Sequence, residues 1–267
     1  MTDPEPLVPS DLPSLKDGYT TPPGRGGVLS SLSPGFVFYP RMLLTVLQAA
    51  RMARKGGYGK QEWIKSSVTI VEALESAGVR LEISNVQAFQ KLDEPCVFIG
   101  NHMSTLETFV LPCIIRPHRP VTFVVKKSLV EYPVFKHVML SRNPVVVSRE
   151  NPRQDLKNVL EGGEERIASG MSVVVFPQST RSNALDPEHF NSIGVKLARR
   201  VKAPIVPLAL KTDAWGNGKL VKDFGRIDPT QRVHFEFGEP MVVTGNGKQE
   251  HAAVMDFISR RLNFWSK

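Results

Sequence analysis

From residue 80 onward, short apolar runs alternate with stretches whose apolar residues recur at helical spacing. The runs VRLEIS, CVFIG, VTFVV, PVVVS, SVVVFP, PIVPLAL and VHFEF are mostly unbroken. A strand with one wet face would alternate apolar and polar positions, so these runs predict strands buried on both faces. Helical patterns fall after His102, around 132–140, 154–169 and 188–201, and from 249 to the end. The alternation predicts an α/β domain over 80–267, with a mainly parallel central sheet flanked by helices. In such a sheet the loops leaving the carboxyl ends of the strands lie along one edge, and chemistry gathers there.

Upstream the pattern changes. Residues 1–34 are crowded with Pro, Gly and Ser and show no apolar periodicity, which predicts a mobile tail with order beginning near Gly35. An amphipathic two-helix segment over 35–79 precedes the α/β domain. In its first helix Leu43, Val46, Leu47 and Ala50 fall on one face, and Arg41, Thr45, Gln48, Arg51 and Lys55 on the other. Such a helix can lie in a membrane interface with its cations against lipid phosphates, or pack on a core with a solvated basic face. The pattern alone favours packing. The second helix carries Trp63, Ile64, Val68, Val71 and Leu74 as its stripe and stops at Gly78. No charge-free apolar run reaches the ~18 residues that a spanning helix needs. The opening MTDPEPLVPSDLPSL lacks the basic start and apolar core of a secretory signal.

Charge narrows the partners without choosing one. The net charge is +8, so the chain attracts anions: nucleic acid, anionic lipid or a phosphorylated substrate. No nucleic-acid-binding motif or aromatic interleaving of the basic segments is present, which argues against the first. Cys96 and Cys113 are the only cysteines and read as reduced, buried thiols. With no CxxC and no HExxH, nothing predicts a metal site.

Polar clusters follow the apolar runs: NHMSTLE after CVFIG, KKSL after VTFVV and QSTRS after SVVVFP. Topology alone places them on one sheet edge. Residues five apart on a helix differ by ~140° in direction, so His102 and Glu107 meet only if His102 precedes the helix and Glu107 lies in its first turns. Ser104 and Thr105 are suited to cap that helix. A carboxylate on one imidazole nitrogen fixes the tautomer and leaves the other nitrogen as a base. Arg181, beside the hydroxyls of Ser179, Thr180 and Ser182, suits phosphate capture through the guanidinium fork. Lys126, Lys127 and Arg149 each follow an apolar strand. Taken singly, all of these are also ordinary surface or structural residues.

Together, NHMSTLE (101–107), KKSLVEYP (126–133), VSREN (147–151), FPQSTRS (176–182) and PIVPLAL (204–210) resemble, in order and spacing, the glycerolipid acyltransferase family, whose best-known members are the 1-acylglycerol-3-phosphate acyltransferases. HFEFGEPM resembles the family's closing strand and turn, so the likeness runs from about 80 to 242. The resemblance implies that His102 is the general base, that Glu107 orients it, and that Lys126, Arg149 and Arg181 bind the acceptor's phosphate. Gln178, Ser179 and Thr180 line the same substrate-binding loop. The implied partners are a lysophospholipid acceptor, acyl-CoA or acyl-carrier-protein as co-substrate rather than a bound cofactor, and an anionic membrane surface on the cytoplasmic side. The chain departs from the family's usual pattern at Glu107 (commonly Asp), Gln178 and Ser179 (commonly Glu and Gly), Ser128 (commonly Glu) and Lys136 (commonly Gly). Two other functions remain open at this level: a non-catalytic anionic-lipid binder, and an acyl-thioester hydrolase, though no G-x-S-x-G elbow supports a serine hydrolase.

Overall fold

The computed structural model describes residues 18–26, 33–178, 180–218 and 222–267. After the edge strand β1 (Gly18–Thr20) come helices α1 (Pro34–Arg54) and α2 (Lys60–Ser76), strand β2 (Leu81–Ser84) and the short helix α3 (Gln87–Gln90). Next are β3 (Val97–Gly100), α4 (Leu106–Ile115), β4 (Val121–Lys126), α5 (Lys127–Glu131), α6 (Lys136–Leu140) and β5 (Val145–Val147). The chain continues through α7 (Pro152–Ala168), β6 (Ser172–Val175), α8 (Ile193–Val201), β7 (Ile205–Lys211), β8 (Val233–Phe237) and α9 (Lys248–Trp265).

The strands form one eight-stranded sheet in the order β1-β2-β8-β7-β3-β6-β4-β5. From β7 to β5 every pairing is parallel, while β8 runs antiparallel to β7 and β1 antiparallel to β2. Both faces are covered, which is why the interior strands are apolar throughout. Phe98, Val174 and Leu208 enter a core shared with α1, α2 and α4; Val97, Ile99, Val173 and Val175 enter a second core with α7, α8 and α9. The predicted strands all form. Of the predicted 132–140 helix only α6 (Lys136–Leu140) forms, and Tyr132, extended at ψ 121°, separates it from α5, because proline disfavours helical backbone in the residue before it.

Two expectations need correction. Residues 18–20, read as part of a mobile tail, form β1: Tyr19 is buried and its hydroxyl donates to the buried carboxylate of Glu75. Composition concealed this because a single aromatic anchors the strand. The rest of the expected tail, 1–17 and 27–32, lies outside the described residues. The second correction concerns α1. Its packed face is Phe38, Met42, Thr45, Val46, Ala49 and Ala50, whereas Leu43 and Leu47, expected on that face, are 42% and 47% exposed. Apolar residues form two stripes on this helix, one with Phe38, Met42 and Val46 and one with Leu43, Leu44 and Leu47, and contact with α2 and with Trp215 selects between them.

Candidate active site

The site grows from the turn that leaves β3. A Cβ on Gly100 would sit 3.0 Å from the Leu208 carbonyl oxygen, so glycine lets the two strands close up here. Asn101, buried, then clamps β7 with both ends of its amide: Nδ2 donates to the Leu210 carbonyl (2.7 Å) and Oδ1 accepts from the Leu210 amide (2.9 Å). His102 follows in the irregular turn before α4, outside the helix, as its pairing with Glu107 requires. Its backbone amide donates to Gln178 Oε1 (2.7 Å), its carbonyl accepts from the Ser182 amide (2.9 Å), and its ring stacks on Phe176 at 4.7 Å and 10°. Backbone and ring are thus fixed by the exit of β6.

His102 Nδ1 lies 2.8 Å from Glu107 Oε1 in the first turn of α4. Glu107 is fully buried and surrounded by donors. Oε1 accepts from the amides of Met103 (2.7 Å) and Ser104 (3.0 Å), and Oε2 from the Thr212 hydroxyl (2.6 Å). Ser104 Oγ lies within reach of both Glu107 Oε2 (3.1 Å) and the Thr212 carbonyl (2.9 Å). Burial by itself pushes the Glu107 carboxyl upward. Hydrogen bonding and attraction from His102, with the Thr212 hydroxyl and backbone amide donors, outweigh it and hold the group below the ordinary glutamate range. An ionised Glu107 can only accept, so Nδ1 carries the proton and Nε2 is left as the basic nitrogen.

The phosphate-binding candidates are less uniformly gathered. Gln178 is buried and spent on holding His102, and it pairs with Phe190 across an isolated bridge. Arg181 forms an ion pair with Asp223 at 2.7 Å. Arg149 sits in left-handed backbone (φ 65°), its amide donating to Asp155 Oδ2 (2.7 Å). Burial and then the nearby positive charge of Arg181 lower its guanidinium's proton affinity, so the two arginines face the same region. Thr180 is exposed, its hydroxyl on the Arg181 carbonyl (3.2 Å). Lys126 stands exposed at the end of β4, two strands from β3. Ser179 lies outside the described residues. Sequence reasoning missed Thr212, at the end of β7, and Asp223, between β7 and β8. Neither has a local signature; both act on residues more than 40 positions away, Thr212 on Glu107 and Asp223 on Arg181.

Residues 80–211 match the family model described as Acyltransferase. That stretch of the chain is an acyltransferase-family domain. Among curated relatives, the 1-acyl-sn-glycerol-3-phosphate acyltransferase of Pseudomonas aeruginosa is 28% identical over 149 residues, 56% of this chain and 55% of that protein. The enzyme of that name from Saccharomyces cerevisiae is 29% identical over 189 residues, 66% of this chain and 61% of its own. The chain therefore spans somewhat over half the length of these two relatives. The crystal structure of the 1-acyl-sn-glycerophosphate (LPA) acyltransferase PlsC from Thermotoga maritima superposes with a TM-score of 0.62 at 15% identity, covering 90% of this chain and 97% of that one. That likeness shows that the two chains share a fold.

Proposed function

We propose that the chain transfers an acyl group from a thioester, acyl-CoA or acyl-carrier-protein, to the free hydroxyl of a phosphate-bearing lysolipid. The acceptor most in keeping with the relatives is 1-acylglycerol-3-phosphate, giving phosphatidic acid. The observation that carries this reading is the His102–Glu107 pair at 2.8 Å on the same sheet edge as Arg181. His102 Nε2 takes the proton of the acceptor hydroxyl as its oxygen attacks the thioester carbonyl. The tetrahedral adduct collapses, the carbon–sulfur bond breaks, and the departing thiolate takes the proton back from His102. Glu107 offsets the imidazolium charge that exists between those two transfers.

A membrane-bound acceptor asks for a membrane-facing surface, and the exposed side of α1 supports one. Phe36, Leu43, Leu44 and Leu47 lie open on it, and Tyr132 and Leu140 lie open on the neighbouring α6 region, with Arg51 and Lys55 at the helix's end. Apolar side chains that enter the interface and cations that meet anionic headgroups are the two terms of peripheral binding. Among the described residues no helix is long and apolar enough to cross a membrane. We place the protein peripherally on the cytoplasmic face.

The test is conversion of lysophosphatidate by labelled acyl-CoA and, separately, acyl-carrier-protein, comparing wild type with His102→Ala. Labelled phosphatidate from wild type alone supports the reading. Equal turnover by the two proteins, or release of free fatty acid indifferent to acceptor, overturns it.

A further inference from the structure

Arg181, the strand-exit guanidinium suited to a phosphate, is already engaged. Asp223 Oδ1 lies 2.7 Å from its Nη1, and the same oxygen accepts from Thr105 Oγ1 at 2.8 Å. Thr105 leads directly into the turn of α4 that bears Glu107. The contact is close but poorly directed: Nη1 is shielded from solvent and has no aligned hydrogen-bond acceptor among the described residues. The local charge is also unbalanced. Arg149 bears on Arg181 with like charge, and the Asp155 carboxylate is spent on the amides of Ser148 and Arg149. Asp223, 42% exposed, is the carboxylate left to face Arg181. A phosphate monoester brings more charge and a planar guanidinium's matching oxygens, so it satisfies this site better than one carboxylate does.

The backbone that carries Asp223 is held independently of that ion pair. Trp215 Nε1 donates to the Asp223 carbonyl (3.1 Å), Phe224 stacks on Tyr39 of α1 at 5.4 Å, and the Tyr39 hydroxyl donates to the Gly225 carbonyl. Gly225 permits the close return of the chain, since a Cβ there would lie 1.8 Å from the Gly216 carbonyl oxygen. The carboxylate can therefore leave Arg181 by side-chain rotation while its backbone stays anchored.

We propose that Asp223 is an internal stand-in for the acceptor's phosphate: it occupies Arg181 until a phosphate monoester displaces it, and so weakens every phosphate ligand that must compete with it. This deepens the proposed function and rests on it for the acceptor's identity. A free phosphate, without an acyl chain to add binding energy, is held off Arg181; a lysolipid phosphate overcomes the competition. An acceptor without phosphate never meets it.

The experiment is titration of inorganic phosphate against wild type, Asp223→Asn and Thr105→Val, followed by KM for lysophosphatidate. A half-exposed ion pair is worth ~1 kcal/mol, a factor of about five in affinity. Asp223→Asn is expected to bind inorganic phosphate about fivefold tighter and to lower KM by a similar factor. Thr105→Val, which frees Asp223 without touching Arg181, shifts both the same way by less. Adding Arg181→Gln to Asp223→Asn removes the gain. Unchanged or weaker phosphate binding by Asp223→Asn would overturn the proposal, because a residue that merely positions Arg181 gives that sign. Tighter phosphate binding without acylation of lysophosphatidate by any variant would retain the stand-in and discard the acceptor. Acylation by wild type with a raised KM in Asp223→Asn would do the reverse.

Discussion

Replacing Glu107 with Gln separates the charge of the carboxylate from its hydrogen bonds. On one oxygen converge His102 Nδ1 and the amides of Met103 and Ser104; on the other, the Thr212 hydroxyl with Ser104. The amide therefore has one good orientation. Its oxygen takes the Oε1 place, where backbone donors cannot adapt, and its nitrogen faces two hydroxyls that can rotate to accept, while the Ser104 amide, 3.1 Å from the second oxygen, turns wholly to the first. Nδ1 keeps its acceptor and His102 its tautomer, so the fold persists at a cost of about 1–3 kcal/mol. The chemistry fares worse. A charge-assisted hydrogen bond is worth ~1–2 kcal/mol more than a neutral one, and that difference is felt when imidazolium forms. Together with lost Coulomb attraction in a buried site, kcat should fall about 10- to 100-fold. Initial rates of thiol release at saturating acceptor measure it, with circular dichroism to check the fold. A folded Glu107→Gln protein that turns over within about threefold of wild type would refute the role given to the carboxylate. The same variant tests its contribution to stability. Because the folded carboxyl lies below its unfolded value, it stabilises the protein above the unfolded pKa, and the effect fades as pH falls through the folded value. The gap in urea midpoint between wild type and Glu107→Gln should therefore narrow as pH is lowered from neutral through the carboxylate range.

Asn101→Ala removes both bonds between the β3 turn and β7 and leaves the Leu210 groups buried without partners; we expect ~2–4 kcal/mol lost in urea unfolding. Leu44→Asp combined with Leu47→Asp should lower binding to anionic vesicles at least about tenfold in co-sedimentation, since each exposed leucine contributes ~1 kcal/mol on insertion. Both positions are open, so the melting temperature should change little; unaltered vesicle binding would remove α1 from the membrane surface. Burial raises the thiols of Cys96 and Cys113 to about 11, so native protein at pH 8 should resist alkylation and react at both once unfolded. Rapid native labelling would contradict that burial.

The interior strands were legible because a strand covered on both faces has no polar positions to hide it. The strand-exit rule then placed His102 and Arg181 on one edge. What escaped notice depends on partners distant in sequence: β1 on Glu75, the face of α1 on Trp215, and Arg181 on Asp223. The surroundings of the buried acid, by contrast, contained a usable signal. A carboxylate at 0% exposure needs donors on both oxygens. Within NHMSTLE the second oxygen is served only by Ser104, through an amide shared with the first oxygen and a hydroxyl that the Thr212 carbonyl also attracts. A second hydroxyl had to come from another strand end on the same edge. Thr212, immediately after PIVPLALK, is the residue in that position, and it meets Glu107 at 2.6 Å. Glutamate's longer side chain is what carries the carboxylate to that distant hydroxyl while still holding Nδ1. Shortening Glu107 to Asp should therefore break one of the two contacts, and a crystal structure of Glu107→Asp with both intact would show that the extra methylene is not what the site uses.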